Sequence, residues 1–241
     1  MNRILFEADE LVAGVATVGG ARAEHIRRVL HGEVGQVLKT GEVDGKIGRG
    51  EIVELAESVK IRVHHTEEPL RPWADLILAP PRPRVLKRLL PQLATLGVRR
   101  IILVGAAKVE KDFWGATLLK EENYRPLLID GLMQGCASSI VPTISVRRNF
   151  RRFAADELDA LFPTSRRLVA HPANRGCSRR SAVQTSDGRP LLLAIGPEGG
   201  WTDEEVECLE AHGFARYSLG ARILRTDTAT IALLAQLMPE V

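Results

Sequence analysis

The chain has 241 residues, of which 45% are hydrophobic and 26% charged, and a formal net charge of +3. Those values suit a soluble globular protein long enough for one large core or two smaller ones. No apolar run reaches the roughly 18 residues that span a bilayer, and acids stand in "MNRILFEADE" where a signal peptide would have its apolar region. The three cysteines, Cys136, Cys177 and Cys208, are too scattered for a disulfide framework or a CxxC metal site. A cytoplasmic protein with no metal and no membrane partner is expected. The basic residues are lopsided, with 26 Arg against 7 Lys. Arginine favours bidentate phosphate contacts and stacks on bases, although a GC-rich coding bias gives the same excess.

Taken in chain order, residues 1–68 differ from the rest. A short helical stretch, "AEHIRRVLHG" (23–32), precedes a glycine-punctuated region in which apolar and polar residues alternate, as at Val59, Ile61 and Val63. Gly41, Gly45, Gly48 and Gly50 mark turns, so short antiparallel strands in a small barrel or sandwich are expected. "TEEPLRPW" (66–73) reads as a linker. From residue 74 onward, short apolar runs alternate with helical patterns. The runs are 74–80, 99–105, 167–172, 191–196 and 215–220; the helices lie near 84–96, 121–136, 203–212 and 227–238. Runs apolar on both faces suit parallel strands covered on both sides, so residues 74–241 should form an α/β domain. In the first helix Val85, Leu86, Leu89, Leu90, Leu93 and Leu96 share a face, Gly97 is a C-terminal cap, and Pro91 should kink or end the helix.

Ligands of such folds sit at the carboxyl ends of the strands. "LAIGPEGGWTDEEVE" (193–207) places a glycine loop there, followed by a helix that Thr202 and Glu205 cap reciprocally. The GxxxxGK[ST] and GxGxxG phosphate fingerprints are missing, and Asp203, Glu204 and Glu205 would repel a phosphate at that helix start. The loop suits a ligand that approaches bare backbone and carries little negative charge, such as adenine joined to a sulfonium-bearing amino acid. A plain structural turn is the other reading. "SLGARILRTDTATIALLAQL" (218–237) supplies a second loop, with Arg222 and Arg225, before a helix capped by Thr226 or Asp227. "AHP" (170–172) supplies a third. All three are expected at one sheet edge, where they could form one pocket.

At this point a resemblance becomes specific. "LLLAIGPEGGWTDEEVE" and "SLGARILRTDTAT" are similar, in order and spacing, to the two C-terminal signatures of SPOUT-class RNA methyltransferases. They look most like those of the 16S ribosomal RNA uracil-N3 methyltransferase (RsmE-type) family. "HIRRVLHGEVGQ" (25–36) resembles that family's N-terminal segment. The resemblance implies an N-terminal PUA-like RNA-binding barrel (1–68) and a C-terminal α/β domain (74–241) with a deep trefoil knot. It also implies S-adenosylmethionine as methyl donor, a homodimer, and 16S ribosomal RNA as substrate, in the assembled small subunit. Carried over by motif, the cofactor would be held by Ala170, His171 and Pro172, by Ile195, Gly196, Pro197, Gly199 and Gly200, and by Leu219, Gly220, Ile223, Leu224, Arg225 and Thr228. The chain departs from the family in having Asp227-Thr228-Ala229 for Glu-Thr-Ala. It also lacks the usual acid before "LGV" (96–98) and the usual arginine after "MQG" (133–135).

Methylating uracil N3 requires loss of the imide proton and in-line attack on the sulfonium methyl. Arg225 is expected to stabilise the developing anion, and Glu198 or Asp227 to accept the proton. The plainer roles are bracing the glycine turn for Glu198 and helix capping for Asp227. RNA is expected at basic clusters: Arg27 and Arg28; Arg82 and Arg84 with Lys87 and Arg88; Arg147 and Arg148 in "RRNFRRF" (147–153); and Arg175, Arg179 and Arg180 in "ANRGCSRRS" (173–181). Two alternatives remain: a SPOUT methyltransferase for another RNA or atom, and an RNA-binding assembly protein without catalysis.

Overall fold

The computed structural model describes residues 2–172 and 188–239. They fall into two compact units, Met1–Pro72 with Arg125–Val141, and Trp73–Tyr124 with Pro142–Val241.

In the first unit the strands are β1 (Ile4–Phe6), β2 (Leu11–Val12), β3 (Val15–Val18), β4 (Val37–Glu42), β5 (Ile47–Leu55) and β6 (Val59–Glu67), and helix α1 spans Gly20–Arg28. They form one six-stranded sheet in the order β1-β4-β5-β6-β3-β2. Every pairing is antiparallel except β1 with β4, a departure from the all-antiparallel expectation. The inward positions of the alternating segments, Phe6, Val18, Ile52, Val59 and Ile61, bury together with Ile26 of α1. Gly48 is required by close approach rather than by a turn. A Cβ there would lie 2.2 Å from the His64 carbonyl oxygen, at a register shift between β5 and β6. Strand β6 runs on through Glu67, two residues into the expected linker.

Residues 125–141, which the sequence reading grouped with the α/β domain, belong to the first unit. The backbone amides of Asn2 and Arg3 both donate to the Met133 carbonyl at 3.0 Å. The buried Arg3 guanidinium donates to the Thr40 and Cys136 carbonyls at 2.7 and 3.1 Å. Sequence distance hides these partners, so a boundary drawn on composition alone misses them.

In the second unit the strands are β7 (Ala74–Leu78), β8 (Val98–Val104), β9 (Thr143–Arg147), β10 (Arg166–Ala170), β11 (Leu191–Ile195) and β12 (Ala215–Tyr217). The helices are α2 (Pro83–Thr95), α3 (Glu121–Gly135, which continues into the first unit), α4 (Phe150–Asp156), α5 (Leu158–Leu161), α6 (Asp203–Ala211) and α7 (Thr226–Leu237). The sheet order is β12-β10-β11-β7-β8-β9, parallel throughout. Strands β7 and β11 are buried at every position, which is why β11 reads as an unbroken apolar run and β7 as one interrupted only by Asp75. Strand β9 and helices α4 and α5 are additions to the expected elements. In "RRNFRRF" the two phenylalanines, Phe150 and Phe153, enter the core with Trp201 and Phe162.

Helix α2 runs through Pro91 without ending, contrary to one of the expected outcomes. The proline leaves the Lys87 carbonyl without its helical donor, but Lys87 is exposed and water can take that place. The apolar face of α2 buries Leu86, Leu89, Leu90 and Leu93, which outweighs the lost bond. At the start of β7, Asp75 is fully buried and receives paired hydrogen bonds from Arg99 and Arg100.

Candidate active site

Because β10, β11 and β12 are parallel, the loops that follow them emerge at one edge. These loops carry residues 170–172, 196–200 and 218–225, the three stretches singled out in the sequence. Two hydrogen bonds tie them. The His171 amide donates to the Tyr217 carbonyl at 3.1 Å. The buried Thr226 hydroxyl donates to the Gly196 carbonyl at 3.4 Å.

The glycine loop is a tight turn: the Gly200 amide donates to the Pro197 carbonyl at 2.8 Å, and Gly200 has a φ of +71°. Gly196 has a different reason to be glycine. A Cβ there would sit 3.0 Å from the Trp201 nitrogen and 3.1 Å from its Cδ1. Trp201 is itself buried, packs against Phe150 at 5.5 Å, and anchors the loop from below. The expected capping box is present. Thr202 Oγ1 accepts from the Glu205 amide at 3.3 Å, and Glu205 Oε2 accepts from the Thr202 amide at 2.9 Å. The other Glu205 oxygen, which the sequence did not assign, accepts from the Ala107 amide at 2.7 Å.

The third loop is open. Leu219, Ile223 and Leu224 are 39%, 86% and 37% exposed, and no atom lies within 4 Å of a Cβ built on Gly220 or Gly200. Bare backbone beside exposed apolar side chains fits an aromatic base joined to a short amino-acid chain. Thr228, also exposed, donates its amide to the Asp227 carboxylate at 2.9 Å. The N-cap of α7 is Arg225, not Thr226 or Asp227, and it makes no side-chain cap bond. Both expected capping groups are occupied, Thr226 by Gly196 and Asp227 by Thr228.

Of the three nominated catalytic side chains, Glu198 lies on the glycine loop, Arg225 ends the third loop, and Asp227 is in the first turn of α7. Arg225 is exposed at the start of α7. The Glu198 carboxylate is 3.8 Å from Arg82, and the Asp227 carboxylate is 3.8 Å from Arg88. These are long-range charge pairs rather than hydrogen bonds. The sequence placed Arg82 and Arg88 in a basic cluster but gave them no partners. The loop after β8 was missed. Lys108 Nζ donates to the Gly199 carbonyl at 2.9 Å, and Glu110 lies 3.8 Å from Arg82. The rule that nominated the other loops, the carboxyl end of a parallel strand, applies equally to β8. A cleft of about 610 Å³ lies at this level of the unit, lined by Gly105, Ala107, Phe150, Arg148 and Thr202–Glu205 among others. None of the expected cofactor residues lines it.

The expected RNA cations differ in how far they are already used. Arg28, Arg82, Arg84 and Arg148 are exposed. Arg28 pairs with Glu24 across one helical turn, and Arg148 donates to the Trp114 carbonyl at 3.4 Å. Arg27 donates to the carbonyls of Ala56 and Glu57, and Arg147 grips Glu157 at 2.7 and 2.9 Å. Arg175, Arg179 and Arg180 lie outside the described residues. Among the described residues no helix is long and apolar enough to cross a membrane, and no group of three or more His, Cys, Asp or Glu could hold a metal ion.

The model of the RNA methyltransferase domain family matches residues 66–238. The ribosomal RNA small subunit methyltransferase E of Treponema pallidum is 33% identical over 98% of this chain and 90% of its own length. The ribosomal RNA small subunit methyltransferase E 1 of Borreliella burgdorferi is 25% identical over 96% of this chain and 95% of its own. Among solved structures, the ribosomal RNA small subunit methyltransferase E of Neisseria gonorrhoeae, crystallised with S-adenosyl methionine, superposes with a TM-score of 0.74 at 21% identity, over 98% of this chain and 96% of that one. The matched stretch contains every loop of the edge described above, and on these grounds the chain belongs to the ribosomal RNA small subunit methyltransferase E family of RNA methyltransferases.

Proposed function

We propose that this chain transfers the methyl group of S-adenosylmethionine to N3 of a uridine in 16S ribosomal RNA, acting on the assembled small subunit. The observation that carries the reading is the meeting, at one sheet edge, of the loops bearing Gly196–Gly200 and Leu219–Arg225, tied by the Thr226–Gly196 hydrogen bond. The open backbone at Gly200 and Gly220 and the exposed Leu219, Ile223 and Leu224 supply what the cofactor's adenine and amino-acid ends require. Ala170, His171, Pro172, Ile195, Pro197 and Thr228 complete the wall. When bound, the cofactor supplies an electrophilic methyl on its sulfonium centre.

The chain's own residues orient the uracil and manage its charge. The Arg225 guanidinium faces the uracil oxygens and stabilises the anion that forms as N3 loses its proton. Glu198 or Asp227 accepts that proton. Arg82 and Arg88, at 3.8 Å, hold these two carboxylates by charge. The departure to Asp227 shortens the carboxylate arm by one methylene but keeps the acid.

The finer parts of the reading follow from the same resemblance. The strand order β12-β10-β11-β7 and the packing of α7 against β11 accord with a trefoil-knotted C-terminal domain, and the β1–β6 sheet with a PUA-like RNA-binding module. A second copy of the chain covers the third loop, where Leu219, Ile223 and Leu224 are exposed. Exposed arginines, Arg28, Arg82, Arg84 and Arg148, contact RNA phosphates.

The test is transfer of a labelled methyl from S-adenosylmethionine to small subunits isolated from cells lacking this chain. Label in 16S RNA is expected. No label with a folded, cofactor-binding preparation overturns the proposal.

A further inference from the structure

The inference rests on the reading of the glycine loop as a cofactor site, and it concerns the loop after β8. In the peptide unit joining Gly199 and Gly200 both polar groups are occupied. The Gly199 carbonyl accepts from Lys108 Nζ at 2.9 Å, and the Gly200 amide donates to the Pro197 carbonyl at 2.8 Å. In the preceding unit, the Glu198 carbonyl and the Gly199 amide have no hydrogen-bond partner among the described residues. One peptide is therefore fixed, while the polar groups of its neighbour, between two exposed residues, are not used by the described residues. The Lys108 stem also lies across Gly199, with Cδ 3.0 Å from where a Cβ would stand.

Lys108 is in turn held from both sides. Its neighbour Ala107 is hydrogen-bonded at 2.7 Å by the buried Glu205 carboxylate, whose second oxygen caps α6 at Thr202. Two residues on, Glu110 lies 3.8 Å from Arg82, which lies 3.8 Å from Glu198. A glycine pair with no side chains needs such a brace, because either peptide can otherwise rotate at little steric cost.

We propose that Lys108 is a positioning residue of the cofactor site: by locking the Gly199–Gly200 peptide it presents the Glu198–Gly199 peptide to S-adenosylmethionine in the geometry that binds. Removing the lock leaves the loop able to bind only after it orders, which lowers affinity and leaves the chemistry alone.

The variant is Lys108→Met, which keeps an apolar stem over Gly199 and removes the donor. The measurements are calorimetric titration with S-adenosylmethionine, steady-state methyl transfer and thermal melting. Dissociation constant and KM for the cofactor should rise about 3- to 10-fold, the loss of one hydrogen bond from a charged donor in an exposed place. kcat at saturating cofactor should stay within about twofold and the melting temperature within about 2 °C, since the bond is exposed and single. Lys108→Arg should restore most of the affinity. Unchanged affinity in Lys108→Met overturns the inference, as does a loss that Lys108→Arg leaves unrepaired, a fall in kcat at unchanged affinity, or a loss matched by a large drop in melting temperature. Failure of the unaltered chain to bind S-adenosylmethionine would instead overturn the reading of the site, and the inference with it.

Discussion

Arg225 is exposed, caps α7 without a side-chain bond, and stands on the same loop as the open apolar residues. A cation with so little structural employment is free to act on a substrate. Arg225→Ala should therefore lower kcat by about 10²- to 10³-fold, the range for losing one preorganised donor to a developing anion. The loss should remain at saturating cofactor, which separates it from any weakening of cofactor binding at Arg225, and the melting temperature should stay near that of the unaltered chain. Steady-state kinetics with calorimetry checks this, and full activity in Arg225→Ala removes the assignment. The glycines of the same edge separate by what a methyl group would meet. In Gly196→Ala the new Cβ presses on the Trp201 backbone, so a loss of about 1–3 kcal/mol is expected, as for overpacking. In Gly199→Ala it meets only the movable Lys108 side chain, so stability should change little while cofactor affinity falls. Chemical denaturation of the two variants tests the contrast; equal destabilisation would contradict it.

At the scale of elements, the parallel sheet carries one buried charge that its strands must accommodate. Burial pushes the Asp75 carboxyl up, but hydrogen bonds and charge from Arg100 and Arg99 outweigh it and hold the group below the usual carboxylate range. A depressed folded-state pKa means stability that is present above about pH 4, the ordinary value, and is lost as pH falls through the lower folded value. Asp75→Asn should lack that acid limb. It should be destabilised at neutral pH by at most the ~3–5 kcal/mol of a broken buried pair, less because both arginines are partly exposed. The gap between the two melting curves should begin to narrow as pH falls below about 4; a gap that stays constant down to acid unfolding would contradict this. The elements themselves were legible where burial is two-sided or caps are present. Strands β7 and β11 read as strands because every position is apolar or buried, and α6 began where Thr202 and Glu205 said it would. Strand β9 was not legible, because "TISVR" is half-exposed and short, and α4 was hidden in what looked like a charge run. Glu205's second bond, Lys108's carbonyl contact and the partners of Arg3 all join residues far apart in sequence, so no local pattern announces them.

For the whole molecule, the proposed function has both units contact one RNA, with phosphates met by scattered arginines rather than by a single basic domain. Net charge is only +3, so affinity should come from local clusters. If four to six phosphates are contacted, log affinity for the ribosomal RNA should fall against log salt with a slope of about −3 to −5. Each of Arg28→Ala, Arg84→Ala and Arg148→Ala should reduce that slope by about 1 if it meets a phosphate. Filter binding across a salt series measures both, and a salt-independent affinity would sink the RNA assignments. The identity of the methylated nucleoside tests the proposed reaction most directly. Small subunits methylated by this chain would be digested and their nucleosides separated and weighed by mass spectrometry. A product with the methyl on the uracil ring at N3 is expected. A methyl on a ribose hydroxyl or on another base would keep the cofactor site and contradict the roles given to Arg225, Glu198 and Asp227.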